Sequence, residues 1–201
     1  MDKPTIAAYD DAANRSAYLD LKSQHKAHPV LDFFISRIPQ NGLVLDLGCG
    51  VGAEAAIMVQ HGLRVDAVDA SQGMVDCAQE VHGIAARLAT FDDLGSFQNL
   101  DGVWAHFSLL HAPRQKLPEY LKDIFNALNP NGVLYISMKC GSGEHRDGLG
   151  RFYNYYEVEE LERHLQSTGF ELVFTNTGTG TGLDEDVMRW VMFLGFKPQP
   201  K

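Results

Sequence analysis

Apolar runs and helix-like patterns alternate along the chain from Val44 to Tyr135, and short polar segments connect them. Alternation of this kind predicts a parallel sheet with helices packed on it. We therefore expect one doubly wound α/β domain, without an internal repeat or a domain linker. The predicted strands begin at Leu43 and then cover Leu63–Asp69, Ala85–Thr90, Leu100–Pro113 and Val133–Lys139.

The clearest helix pattern is Arg114–Asn129, whose apolar residues recur at the spacing of one helix face. Pro118 is compatible with this helix only near its first turn. The segment Asn129–Gly132 (NPNG) should end the helix before the next strand. A second helix is predicted over Glu157–Thr168, with Gly169 just beyond its C-terminus.

Two further strands, Phe170–Thr175 and Asp186–Phe196, enclose the tract Thr177–Gly182, which reads TGTGTG. We interpret this tract as a flexible loop that joins the two strands into a hairpin. The alternative is a second phosphate-binding loop, which so short a low-complexity tract does not favour.

The composition is that of a one-domain intracellular enzyme, since 45% of the 201 residues are hydrophobic, enough for a substantial core. The N-terminus lacks a signal-type apolar run and no stretch has transmembrane length, so we expect a cytoplasmic protein without membrane association. Cys49, Cys77 and Cys140 are odd in number and widely spaced, which argues against a disulfide framework. The motif His25-x-x-His28 lacks further ligands at suitable spacing, so no metal site is predicted.

The net charge of the chain indicates which class of partner it binds. The chain carries 26 acidic and 17 basic residues, a formal net charge of −9, and no run of Lys and Arg. Proteins that bind nucleic acid need basic surface to displace counterions. We therefore expect a small-molecule partner and no nucleic acid, and the sequence makes no prediction of oligomeric state.

The segment Leu43–Glu54 (LVLDLGCGVGAE) is the most informative of the chain. A strand ends near Asp46, glycines follow at alternate positions, and a helix-like run begins. Glycines allow backbone to approach a ligand closely, and the following helix offers free N–H groups. The segment therefore predicts a nucleotide-type cofactor site. Because Ala53 completes G-x-G-x-x-A, the loop by itself also satisfies the dinucleotide fingerprint.

The flanking motifs distinguish the two cofactor classes. The loop, D-x-G-x-G-x-G, resembles motif I of class I S-adenosylmethionine (SAM) dependent methyltransferases. Asp69 ends the next strand, and D-x-S-x-x-M from Asp69 to Met74 resembles the segment after that motif. An acid after strand three and the segment Leu100–Pro113 follow in the order of the family. The resemblance runs from Tyr9 to about Phe196 and includes small bacterial, tellurite-resistance-like members.

The resemblance implies SAM as cofactor and S-adenosylhomocysteine (SAH) as product. It also implies a seven-stranded, Rossmann-like sheet with an antiparallel last strand, in a single domain of residues 1–201. Residues 1–40 would form a helical lid and residues 41–201 the SAM-binding core. The implied cofactor contacts are Asp46, Gly48, Cys49, Gly50, Gly52, Asp69, Ala70, Ser71, Met74, Phe91, Asp92, Asp93 and His106.

In this assignment the glycine loop approaches the methionine part, Asp69 the ribose and Met74 the adenine. The spacing leaves open which of Asp92 and Asp93 approaches the adenine. His106 points away from Phe107 in an extended strand, which favours a structural role for it over cofactor contact.

Three regions are candidates for the acceptor site. In the N-terminal segment, Tyr9 and Tyr18 either close over the cofactor or pack on the sheet edge. After strand four, His111 is the best candidate for a general base, since imidazole titrates near physiological pH, although a capping or core role is the alternative.

The third region is the glycine-rich, charged segment Lys139–Tyr153 (KCGSGEHRDGLGRFY). Its resemblance to the tellurite-resistance-like subgroup implies that Glu144 and Arg151 line the acceptor site and act in catalysis. An arginine there can clamp an anionic acceptor. The alternative is a solvated loop held by a Glu144–Arg151 ion pair.

The expected reaction is in-line displacement of a methyl group from SAM to a small molecule, in which alignment supplies most of the rate. A nicotinamide-dependent oxidoreductase is the alternative. Its Tyr-x-x-x-Lys pair, Tyr18 and Lys22, lies on the wrong side of the glycine loop for a short-chain dehydrogenase. A non-catalytic SAM-binding protein is a third possibility.

Overall fold

The computed structural model describes residues 2–24, 30–183 and 187–200. The motif His25-x-x-His28, the side chain of Lys22 and Asp186 lie outside this description. Within the described residues, no helix combines the length and the apolar character needed to cross a membrane.

Seven strands form one sheet, as predicted from the resemblance. In chain order they are β1 Leu43–Leu47, β2 Arg64–Asp69, β3 Arg87–Leu88, β4 Leu100–His106, β5 Leu128–Lys139, β8 Glu171–Thr181 and β9 Val187–Phe196. Their spatial order is β3-β2-β1-β4-β5-β9-β8. The five strands on the β3 side are parallel to one another, and β9 runs antiparallel to β5. Two short strands, β6 Glu144–Arg146 and β7 Phe152–Asn154, form a separate hairpin.

Helices cover both faces of the sheet. They are α1 Lys3–Asp10, α2 Ala12–Gln24, α3 Leu31–Ile35, α4 Ala53–Gln60, α5 Gln72–His82, α6 Leu117–Ala127 and α7 Val158–Thr168. Short 3₁₀ turns occupy Phe91–Ser96, Leu109–His111 and Arg114–Lys116.

The core has a layer on each face of the sheet because neighbouring residues of a strand point to opposite sides. Leu45 packs in the layer that includes Leu121 of α6 and Leu161 of α7. Val44, the preceding residue, packs in the other layer with Phe34 of α3. The resulting sheet is buried on both sides, so that its open edge for a ligand is the carboxyl end of the parallel strands.

The predicted elements and the observed ones differ mainly at their ends. The helix predicted from Arg114 begins only at Leu117, because Pro118 has to lie in the first turn of an α-helix. The strand predicted over Leu100–Pro113 ends at His106, where the chain turns sharply. The strand predicted over Ala85–Thr90 pairs with β2 at only two residues.

The interpretation of TGTGTG as a loop is wrong. Residues Thr177–Thr181 continue β8 and pair with Val187–Val191 of β9, so that the hairpin is longer than predicted. The glycines have a packing reason: a Cβ built on Gly178 would lie 2.3 Å from Cζ2 of Trp190. Alternating threonine and glycine therefore suit a strand whose glycine positions are covered by an indole ring.

This packing predicts different effects for two neighbouring glycines. Gly178→Ala should lower the free energy of unfolding by about 1–3 kcal/mol, since the new methyl overlaps the Trp190 ring. Gly180→Ala is the matched control, because its Cβ would meet Trp190 Nε1 at 3.5 Å, an ordinary contact. Urea unfolding of both variants checks the prediction, and equal stabilities would contradict it.

Candidate functional site

The loop after β1 turns through left-handed backbone at its glycines. Gly48 has φ of 75°, and a Cβ there would lie 2.5 Å from the Cβ of Ser108, which follows β4. Gly52 has φ of 82° and caps α4, and its Cβ would lie 2.9 Å from that of Ala78 in α5. The glycines therefore allow two close approaches within the protein as well as exposing backbone to a ligand.

A cleft of about 560 Å³, partly open to solvent, lies along this loop at the carboxyl edge of the sheet. Its walls come from the N-terminal helices, the ends of β1, β2 and β4, and the segment after β3. The lining residues are Tyr9, Tyr18, Leu47, Gly48, Gly50, Asp69, Ala70, Met74, Ala89, Thr90, Phe91, His106, Phe107, Ser108 and His111.

Asp69 lines the cleft and joins its two main loops. Its Oδ2 accepts a hydrogen bond from the Gly50 N–H at 2.9 Å, and its Oδ1 accepts one from the Ser71 N–H at 2.9 Å. Burial raises the pKa of this carboxyl, and the backbone hydrogen bonds oppose the rise. Asp69 is therefore fixed in position and presents an acidic group to the cleft.

One end of the cleft is apolar, where Met74 and Phe91 lie on its walls. The two acids that follow Phe91 point elsewhere. Asp93 accepts hydrogen bonds from the N–H and hydroxyl of Thr90, and Asp92 accepts one from the Tyr120 hydroxyl at 2.7 Å. Neither acid lines the cleft, so the structure does not bring either candidate for the adenine contact to it.

Four other candidate cofactor residues also lie behind the cleft rather than on its surface. Asp46 is buried within β1, and Cys49 is buried against Ala55 and Ala78. Burial, followed by the nearby acids, raises the pKa of the Cys49 thiol far above its ordinary value. The Ser71 hydroxyl caps α5 and donates to Asp10, and Gly52 packs on α5.

His111 lines the cleft with both ring nitrogens engaged. Its Nδ1 lies 2.6 Å from the carbonyl oxygen of Phe152, and its Nε2 lies 3.0 Å from the hydroxyl of Tyr9. A carbonyl only accepts, so Nδ1 carries the proton and Nε2 accepts from Tyr9. Burial, and then the positive charges of Arg151 and Lys139, lower the pKa of His111 to about 4. The imidazole is therefore neutral at pH 7.

The turn after β4 has unusual backbone that aims residues at the cleft. Phe107 has φ of 51°, a left-handed conformation that non-glycine residues adopt at a cost of about 1–2 kcal/mol. Its N–H donates to Ser137 Oγ at 2.9 Å. The same hydroxyl lies 3.0 Å from Nδ1 of His106, which also lies 3.2 Å from the Tyr135 hydroxyl. His106 thus helps to hold this turn while its ring borders the cleft.

A buried group of charges lies behind His111. Arg151 and Asp147 form an ion pair at 2.7 Å, with side chains 5% and 1% exposed. Burial alone would raise the pKa of Asp147, but hydrogen bonds from Arg151 outweigh it and hold that pKa below the ordinary value. The buried Lys139 places its Nζ 3.9 Å from the centre of the Tyr153 ring, and Tyr153 also donates to Asp147.

The alternative of a Glu144–Arg151 ion pair is therefore wrong, because Asp147 takes that place. Glu144 is exposed on β6, and it does not line the cleft. Within the segment Lys139–Tyr153, the strands β6 and β7 form a short hairpin, and the remaining residues after β5 are mostly turns and bends. Arg151 does not line the cleft either, but its guanidinium carbon lies 5.7 Å from the centre of the Tyr9 ring.

The N-terminal helices are attached to both sides of the cleft. On one side Asp10 accepts from the Ser71 hydroxyl at 2.6 Å and from the Gly73 N–H at 2.9 Å. On the other, Asp2 pairs with Arg146 at 2.9 Å, and Thr5 Oγ1 accepts from the Phe152 N–H. Tyr9 and Tyr18, which pack edge to face at 6.4 Å, are thereby held over the cleft.

Sequence reasoning did not single out five of the lining residues. They are Leu47, Ala89, Thr90, Phe107 and Ser108. Their position, within two residues of the carboxyl end of β1, β3 or β4, is the one sequence signal that identifies them. What the sequence does not reveal is the left-handed turn at Phe107, which directs the next residue into the cleft.

The residues of the cleft fit SAM. The carboxyl group of Asp69 suits the hydroxyls of a ribose, and the apolar side chains of Met74 and Phe91 suit a purine ring. The described part of the lining contains a carboxylate but neither lysine nor arginine, a charge that suits a cationic cofactor. Among the described residues, the buried Ser108 Oγ has no hydrogen-bond partner, as expected of a polar group that meets a ligand.

Comparison with known proteins agrees with this reading. A family described as a methyltransferase domain matches residues 44–132. An uncharacterized methyltransferase of Staphylococcus carnosus is 25% identical over 127 residues, which are 63% of this chain and 61% of that protein. A carboxy-S-adenosyl-L-methionine synthase of Psychrobacter sp. is 24% identical in an alignment that covers 97% of this chain and 83% of that protein. This chain therefore spans a little under two thirds of the Staphylococcus relative.

The fold recurs among solved structures. The 1,6-didemethyltoxoflavin-N1-methyltransferase of Burkholderia thailandensis, solved with 1,6-didemethyltoxoflavin and S-adenosylhomocysteine, superposes with a TM-score of 0.74 at 20% identity. The match covers 96% of this chain and 88% of that one. The likeness shows the common fold, and the cofactor of the methyltransferase family is SAM.

The contacts of His111 make a testable prediction. Its imidazole should titrate at a pKa of about 4 and be the Nδ1–H tautomer when neutral. An unfolded histidine titrates near 6.5, so this residue should lower the free energy of unfolding as pH falls from about 6.5 to about 4 and should not affect it at higher pH. Imidazole NMR, with His111→Gln to assign the signal, measures both. An ordinary pKa or the Nε2–H tautomer would contradict the geometry.

Proposed function

Since the chain carries a class I, SAM-dependent methyltransferase domain, we propose that it transfers the methyl group of SAM to a small-molecule acceptor by in-line displacement. The observation that carries the proposal is that one cleft brings the glycine loop and Asp69 together with the Tyr9–His111 pair. A cofactor site and a polar acceptor site at the two ends of one cleft are what group transfer needs.

When SAM is bound, it supplies a methyl group that is already electrophilic. The chain then has to hold donor and acceptor in line and exclude water. We assign Gly48 and Gly50 to the amino-acid part of the cofactor, Asp69 to its ribose, and Met74 with Phe91 to its adenine. Met74 suits a purine ring because a thioether is polarizable.

We assign α1 and α2, within residues 1–40, to a lid over the core formed by residues 41–201. The lid contributes Tyr9 and Tyr18 to the cleft and packs with these residues and Leu19 against Met74 and Cys77 of α5. Polar contacts also join it to α5 and to the β6–β7 hairpin. Polar contacts of this kind can be exchanged for water, so the lid can open for ligand entry and close again.

The charges beside the cleft favour an acceptor that is anionic. Lys139 and Arg151 are both buried close to His111, whose pKa their positive charges help to lower. A negative group that approaches from the Tyr9 side would be stabilised by this arrangement. The guanidinium of Arg151, which pairs with Asp147, would bind a carboxylate or phenolate if the acceptor reached it past the Tyr9 ring.

The state of His111 agrees with that acceptor. A neutral imidazole with a pKa of about 4 is a weak base, so it suits an acceptor that is already ionised or readily loses its proton. Its Nε2 lone pair, which accepts from Tyr9 in this structure, is available to accept an acidic proton from the acceptor instead. The Phe152 carbonyl would hold the ring in position during that transfer.

The oxidoreductase alternative is less well supported. A dinucleotide brings a pyrophosphate, whereas the side chains that the structure describes in this cleft include an acid but neither lysine nor arginine. The non-catalytic alternative differs from our proposal only in turnover.

Turnover is tested with SAM that carries an isotopic label on its methyl group. The enzyme is incubated with a panel of organic acids and phenols and a matched panel of neutral alcohols and amines. We expect label on at least one acidic acceptor, with release of SAH. Label confined to neutral acceptors would contradict the proposed acceptor class, and binding of SAM without any transfer would favour the non-catalytic alternative.

Asp69→Ala should weaken SAM binding by about 1.5–3 kcal/mol, the scale of hydrogen bonds to a charged group. Calorimetric titration with SAM measures the loss. Asp66→Ala is the matched control, because Asp66 is on the same strand and pairs with Arg87 outside the cleft. Unchanged affinity in Asp69→Ala, with the fold intact by circular dichroism, would overturn the ribose assignment.

Arg151→Gln should raise the KM for an acidic acceptor about 10–100-fold, the cost of losing charge-assisted hydrogen bonds, and leave the Kd for SAM within about twofold. Removal of a buried partner of Asp147 should also cost about 3–5 kcal/mol of unfolding free energy. Assays therefore have to stay below the unfolding temperature of the variant.

Arg151→Lys is the control for charge, since it keeps the positive charge and loses the planar, two-pronged hydrogen bonding of the guanidinium. Its KM should lie between those of the wild type and Arg151→Gln. An unchanged KM in folded Arg151→Gln would remove Arg151 from the acceptor site.

A further inference from the structure

Ser108 is a polar residue that lines the cleft. Its contacts within the protein do not explain why a hydroxyl group is placed there. Ser108 is 6% exposed, and its Oγ has no hydrogen-bond partner among the described residues. A buried hydroxyl without a partner is destabilising, because it has lost its hydrogen bonds to water. Ser108 also lines the cleft, so a bound ligand is the natural source of the missing contact.

The backbone around Ser108 shows that its position is built rather than incidental. The left-handed Phe107 precedes it, and the hydrogen bond to Ser137 holds that conformation. On its other side, Ser108 packs against Gly48, where any side chain would overlap its Cβ. Two special backbone positions thus bring this hydroxyl to the glycine loop.

The position of Ser108 along the cleft indicates which part of the ligand it meets. The Ser108 Cβ lies against Gly48 of the glycine loop, and Asp69 is joined to the same loop through the Gly50 N–H. In the other direction, Ser108 begins the short turn that contains His111, whose N–H donates to the Ser108 carbonyl at 3.0 Å. Ser108 therefore lies between the cofactor loop and the acceptor-side residues.

In a methyl transfer, the junction between cofactor and acceptor is where the reacting methyl must lie. We propose that Ser108 Oγ faces the methyl-bearing sulfonium centre of SAM and recognises its positive charge. This inference rests on the proposed function. A hydroxyl oxygen presents lone pairs, and in a site shielded from water such a dipole interacts strongly with a cation.

The consequence is a preference for the substrate cofactor over its product. SAM carries a positive charge on sulfur, whereas SAH is a neutral thioether after the methyl has moved to the acceptor. The Ser108 hydroxyl therefore interacts favourably with the charged sulfur of SAM and lacks this interaction with SAH. A residue in this place would therefore favour exchange of SAH for SAM after each turnover.

Calorimetric titration of SAM and SAH against the wild type and Ser108→Ala tests the inference without an acceptor. We expect the Kd for SAM to rise about fivefold or more and the Kd for SAH to change less than about twofold, as suits loss of one hydrogen-bond-scale interaction. Ser108→Cys retains the side-chain volume with a poorer acceptor atom, and should resemble Ser108→Ala. Ser36→Ala, an exposed serine whose hydroxyl donates to Phe33, is the control.

The outcomes separate this inference from the proposed function. If the wild type binds both ligands and Ser108→Ala changes both equally, or neither, the assignment to the sulfonium centre is overturned and the proposed function stands. If the folded wild type binds neither SAM nor SAH, the proposed function itself fails. Circular dichroism of each variant establishes that it is folded, and Ser108→Cys carries the test if Ser108→Ala does not fold.

Discussion

The hydrogen bond between the Gly50 N–H and the Asp69 carboxylate is the contact on which the site depends. It ties the loop after β1 to the end of β2, and the N–H groups of Gly48 and Cys49 reinforce it by donating to the Val68 carbonyl. Adjacent parallel strands deliver these loops to the same edge of the sheet. The cleft follows from that junction, since the other walls are built against it.

Charge is unevenly distributed around the cleft. Asp69 gives the wall at the glycine loop an acidic surface, while the buried Lys139 and Arg151 lie close to His111. A cationic donor and an anionic acceptor would each be placed where the protein stabilises them, and each would strengthen the binding of the other. The lowered pKa of His111 is a consequence of the same burial and the same positive charges.

The sequence predicts the sheet well and the part of the cleft formed by the glycine loop and the end of β2 in part, because both are set by local patterns. Continuous apolar strands and the glycine loop leave their signal within a few neighbouring residues, and Gly48, Gly50, Asp69 and Met74 all reach the cleft. The acceptor half depends on contacts between distant segments. The pairing of Arg151 with Asp147 rather than Glu144, which is exposed on β6, is settled by hairpin geometry that spacing does not reveal.

The most direct test of the account is calorimetric titration of the purified chain with SAM, SAH and NADH. The cleft described here predicts micromolar binding of SAM and SAH and no binding of NADH. Binding of NADH alone would contradict the account and would make Asp69 a ribose ligand of a dinucleotide.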